Sequence, residues 1–197
     1  MEHVPARDSA RSSGWWLGHG AVGGLLGGAA FLAFEMAVAA TTMGPAWTLF
    51  PLRLMSGIIL GPGAVDTASP IVPAIVAGLL VHGTLSAAFG LLLAALLQPA
   101  HERAAQRPIG AMLAGSAGYG FALWLVNFYV IAPLAGWEWF PRDTNPVVQF
   151  IAHALVYGLF VGSYLDRVET RQRTAALGER LPAEVVEPRR HGRRPAA

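Results

Sequence analysis

Four long apolar stretches, each nearly free of charge, limit what this chain can become. They run over about Leu17–Thr41, Ile71–Leu97, Ile109–Pro133 and Pro146–Leu165. A helix needs about 20 apolar residues to cross the hydrocarbon layer. A backbone in lipid must also satisfy its own polar groups, which leaves helices or closed barrels. Unbroken apolar runs of this length specify helices. The expected fold is all-α, an integral membrane four-helix bundle over 17–165. It stands between an N-terminal tail, 1–16, and an Arg-rich tail, 166–197, that begins as a helical extension and ends disordered. Composition agrees. Only 13% of the residues are charged and the mean hydropathy is +0.46, against about a quarter charged in soluble domains. There is no cysteine, which removes disulfides, iron–sulfur clusters and thiolate metal sites. The basic excess lies in the tails, so no nucleic-acid partner is implied. The implied partner is the lipid bilayer, with a second copy of the chain as a further candidate.

Arginine orients the bundle. Arg7 and Arg11 precede the first span, Arg103 and Arg107 lie between the second and third, and eight more follow the fourth, from Arg167 to Arg194. The opposite side carries only Arg53 and Arg142. The positive-inside rule then places both termini in the cytoplasm of a multi-pass protein of the bacterial inner (plasma) membrane. The even number of spans requires the termini to share a side. The small residues Ala37–Ala40 resemble a signal-peptide cleavage site, but the run before them is long and contains a glutamate, so the first span is expected to stay.

Two loops are unusual. "WTLFPLRLMSGIILGPGAV" is too apolar for a solvated loop and too broken by Pro and Gly for a full span. It reads as a short interfacial or re-entrant helix in the first outer loop. Its Arg53 is expected to snorkel to the outer headgroups, or else to pair with Glu35. The loop "LAGWEWFPRDTNP" carries Trp137, Trp139 and Phe140, which read as interface anchors.

Each span holds one costly polar residue near its middle: Glu35, His82, Asn127 and His153. The topology puts Glu35 and Asn127 before the outer ends of outgoing helices, and His82 and His153 just inside incoming ones. At 1.5 Å per residue all four lie about 10–16 Å below the outer boundary. Such residues are rare in a membrane and usually face protein or water. A common layer lets them satisfy one another. Thr84 and Tyr157, the latter one turn from His153, support the layer. The small-residue run "GAVGGLLGGAA" lets the first helix pack closely. A shift of 92 residues carries Gly28 to Gly120, Glu35 to Asn127 and Trp47 to Trp139, a weak parallel repeat.

The layer admits three readings. The first is structural: interhelical hydrogen bonds, with Glu35 bonded to His82. The second is a cofactor site. His82 and His153, with Glu35, suit a divalent metal, and the two histidines alone suit haem b. The third is a proton or ion pathway through Glu35 and the histidines, although only Ser116, Tyr119 and Gln98 could continue it. Enzyme chemistry has no supporting nucleophile–base motif.

The segments "FLAFEMAVAA", "GLLVHGTLSAAFGLLLAALL", "LWLVNFYVIAP" and "FIAHALVYGLFVG" resemble a family of small bacterial four-helix inner-membrane proteins, over about Gly20 to Gly162. Glu35, His82, Gly83, Asn127, Phe128 and His153 carry the resemblance. Some members bear a sodium:proline symporter label. True sodium:solute symporters are far longer, so the resemblance implies the fold and the polar layer, and no activity.

Overall fold

The computed structural model describes residues 6–102 and 109–180. Arg103, Arg107, the last arginines and the expected disordered end, 181–197, lie outside the described residues. Those that are described form an all-α bundle. Helix α1 is Ala6–Thr42, α2 is Phe50–Leu60 and α3 is Ile71–Glu102. Helix α4, Ile109–Val126, continues through a π-helical stretch, Asn127–Ile131, into the single turn α5, Ala132–Leu134. The short helix α6 is Trp139–Arg142. Helix α7, Pro146–Phe150, runs through a second π-helical stretch, Ile151–Gly158, into α8, Leu159–Arg180. Among the described residues four helices are long and apolar enough to cross a membrane: Ser13–Thr42, Ile71–Pro99, Ile109–Leu134 and Pro146–Ala176.

The helix ends follow local chemistry. Asn145 caps the fourth span, its side-chain oxygen accepting from the backbone N–H groups of Val147 and Val148, with Pro146 in the first turn. There a side-chain acceptor meets an orphan donor and a missing N–H costs nothing. Gly61 and Gly136 follow helix ends at φ 84° and 73°, a conformation glycine adopts without steric penalty. Three boundaries differ from the sequence reading. The first helix begins before Leu17, α3 runs past Pro99 to Glu102, and the last helix continues well beyond Leu165. Pro99 falls in the final turn of its helix.

Glycine and serine set the packing. On α1, Gly20 and Gly24 lie against Gly90 and Ser86 of α3. A Cβ on Gly24 would stand 2.9 Å from the Gly90 Cα, and closer still to the Ser86 carbonyl oxygen. In the second half of the chain Gly120 meets the backbone at His153 and Ala154, and Gly158 and Gly162 meet Ser116. The chain is thus two helical hairpins, each closed by backbone contact of the kind small residues permit in membranes. The hairpins join where α1 meets the fourth span, with Val161 and Tyr164 seated over Gly27 and Gly23. The second and third spans do not pack closely. Tyr119 Oη, donating to the Phe89 carbonyl at 2.7 Å, bridges them.

Helix α2 is docked along the first turns of α3, with the Leu52 backbone against Gly78. Two expectations about this end are corrected. Arg53 neither snorkels nor pairs with Glu35. It is buried, and its guanidinium donates to the carbonyls of Asp66 (2.8 Å), Ser69 (2.9 Å), Ala64 and Thr67 (both 3.4 Å). The loop after α2 wraps around it. Trp139 and Phe140 are not interface anchors but core, packed with Leu54 and Phe128, and Trp139 Nε1 donates to the Leu54 carbonyl at 3.0 Å. The docked α2 covers them.

Candidate functional site

Between the second and third spans lies a cavity of about 500 Å³. Helix α2 covers it with Met55 and Ile58, α1 contributes Phe31, and the fourth span contributes His153 and Tyr157. It is mainly apolar and aromatic. Leu80, Leu85 and Ile131, which line it, are also exposed on the outside of the bundle, so the cavity opens sideways along the seam between the two spans.

The polar layer divides around this cavity. His82, Asn127 and His153 line it, together with Thr84 and Tyr157. Glu35 does not. It is buried, and its carboxyl oxygen accepts from Nε2 of Gln149 on the fourth span. The expected Glu35–His82 bond is therefore absent, because Gln149 supplies the partner. Gln149 was missed in the sequence, although it stands one turn before His153 on the same face.

Both imidazoles are held by backbone. His82 Nε2 lies 2.8 Å from the Gly28 carbonyl of α1, and His153 Nδ1 lies 2.9 Å from the Gln149 carbonyl of its own helix. Both pack on one aromatic ring. The Phe31 centroid is 5.5 Å from that of His82 and 4.8 Å from that of His153, while Phe128 stands edge-on to His153 at 5.5 Å. Tyr157 Oη donates to the Ser86 carbonyl at 2.7 Å, bracing the second span to the fourth.

The expected metal set is not assembled as a trio. Among the described residues no group of three or more His, Cys, Asp or Glu side chains is placed to hold a metal ion, since Glu35 turns to Gln149. A macrocycle ligated by both imidazoles needs open space between them. Phe31 is in ring contact with both, and one nitrogen of each imidazole is engaged by a backbone carbonyl. The residues considered for a continuing proton route are engaged as well. Ser116 donates to the Met112 carbonyl, Tyr119 to the Phe89 carbonyl and Gln98 to Ser13. Two of these hydrogen bonds end on backbone carbonyls and the third on a serine hydroxyl.

The Glu35–Gln149 pair joins the first span to the fourth. Glu35→Gln keeps an acceptor for the Gln149 amide and is expected to melt close to wild type. Glu35→Ala leaves that amide alone among apolar groups and is expected to lower stability by about 1 kcal/mol. Thermal unfolding of both variants in one detergent checks this, and equal losses would remove the pair from the account.

No family model matches this chain, and comparison with curated proteins and with solved structures gives no match either.

Proposed function

We propose that this protein is a four-span inner-membrane binding protein whose cavity takes a small, mostly apolar molecule directly from the lipid. One observation carries the reading: an aromatic cavity, open sideways between exposed apolar residues, in which His82, Asn127 and His153 converge. Ligand sites are concave and mainly apolar, with a few placed polar groups. The Asn127 side chain makes no hydrogen bond within the described residues, as befits a group kept for something else. Both spans carrying Asn127 and His153 turn π-helical there, and π-helical segments occur frequently at functional sites.

The arginine distribution supports cytoplasmic termini, which puts the cavity toward the outer leaflet. Membership of the resembled four-helix family belongs to the same reading. The structural reading of the layer keeps Glu35, whose contact with Gln149 acts as an interhelical brace.

Photolabelling in proteoliposomes with an apolar benzophenone tests the proposal. Adducts are expected on Leu85 and Ile131 and should fall several-fold in Thr84→Trp, which fills the cavity from its open side. Adducts on Leu96, exposed on the same helix as Leu85, should not change. Uniform labelling of all three, unaltered by the tryptophan, would sink it.

A further inference from the structure

We infer that the cavity selects a ligand whose flat head carries hydroxyl donors, a lipid-soluble phenol or hydroquinone. This rests on the binding role proposed above and narrows it.

The argument is one of hydrogen-bond polarity. A backbone carbonyl can only accept. His82 must therefore donate to the Gly28 carbonyl through Nε2, and His153 to the Gln149 carbonyl through Nδ1. In a neutral imidazole one nitrogen carries the proton and the other a lone pair. The two carbonyls thus fix opposite tautomers, leaving lone pairs at His82 Nδ1 and His153 Nε2. Among the described residues neither of these atoms has a hydrogen-bond partner. Among the described residues Trp124 Nε1 is the one fully buried side-chain polar atom without a hydrogen bond, so neither imidazole nitrogen counts as a sealed, unpaired atom, and both belong to rings that line the cavity. Two acceptors call for two donors, or for one donor shared between them. The Tyr157 hydroxyl, which also lines the cavity, donates elsewhere, to the Ser86 carbonyl. A ligand with only acceptors, such as a ketone or an ester, would meet lone pair with lone pair.

The walls give the shape. Phe31, Phe89, Phe128, Phe140 and Trp137 surround the space, and aromatic pairs prefer the offset or edge-on arrangements that such walls offer a flat ring. The Asn127 amide adapts to either polarity, since it both donates and accepts. The geometry assigns binding alone; no electron or proton need leave the ligand.

The test compares tert-butylhydroquinone with its dimethyl ether, which has the same ring but no donors, by titration calorimetry against the full chain in lipid nanodiscs without oxygen. The hydroquinone is expected to bind about tenfold more tightly, a factor equal to about 1.4 kcal/mol, the size of one net hydrogen bond. The preference should shrink in His153→Phe, which removes one of the two acceptors. The comparison within wild type needs no variant to fold. Equal binding of the two compounds overturns the donor requirement and leaves the cavity proposal standing. Tighter binding of the oxidised quinone, which has acceptors only, overturns it as well. Failure of both compounds to bind, with benzophenone labelling still confined to the cavity, removes this inference alone. Failure of both with uniform labelling removes the proposed function too.

Discussion

Gly24→Leu is expected to leave no closed bundle. The side chain would have to grow where a bare Cβ already meets the Gly90 Cα at 2.9 Å and the Ser86 carbonyl. Both neighbours are backbone, so no rotamer change makes room, and α1 and α3 must separate along their length. Overpacking a core costs about 1–3 kcal/mol when side chains can give way; here the loss should exceed that. The separation would also pull the Gly28 carbonyl from His82 and break the His82–Phe31 contact. Gly118→Leu is the control, because nothing lies within 4 Å of a Cβ there. Size-exclusion profiles and tryptophan-monitored melting in one detergent decide the matter. A Gly24→Leu protein that elutes and melts like Gly118→Leu would show that backbone contact does not hold the first hairpin.

Arg53→Ala should be the most damaging change outside the helix contacts. It removes donors from four carbonyls of one loop, two of them at 2.9 Å or less; the Asp66 carbonyl keeps only the Ser69 N–H at 3.1 Å. Hydrogen bonds to a charged group are worth about 1.5–3 kcal/mol each, so a loss of about 3 kcal/mol is expected. Lysine should restore little of it, since an ammonium does not reproduce the guanidinium fork. The loop after α2 should then become the first site of proteolytic cleavage, and the cover that Met55 and Ile58 give the cavity should loosen. Melting curves with limited proteolysis test both parts. An Arg53→Ala protein as stable and as resistant as wild type would mean that the loop is held by Ser69 and Asp66 instead, through their own contacts with Gly63 and Ala68.

Much of the bundle was legible because lipid allows so few solutions. Apolar length marked the four spans, and alternating direction put His82, Asn127 and His153 at one depth, where the cavity gathers them. The same logic failed for Glu35. Depth says who is level with whom, but not which faces meet, and Gln149 drew no attention because an amide carries no charge. Arg53 was unreadable for a different reason. Its acceptors are backbone carbonyls brought together by turns at 61–69, which no side-chain pattern announces. Trp139 and Phe140 looked like anchors because aromatic residues at a span's end suit either role, and only the docking of α2 decides between them. The weak repeat has a counterpart in the contacts: Gly28 meets His82 across the first hairpin, and Gly120 meets His153 across the second.

The seam between the second and third spans has a consequence for how occupancy should be measured. On the proposed function, a site entered sideways through Leu80, Leu85 and Ile131 would sample solute dissolved in the bilayer, with no dehydration step at the protein surface. Its saturation follows the mole fraction of ligand in lipid, and diluting the membrane at constant total ligand empties it. Affinities expressed per litre of water would then vary with every change of lipid-to-protein ratio, whereas the same data expressed per lipid should fall on one curve.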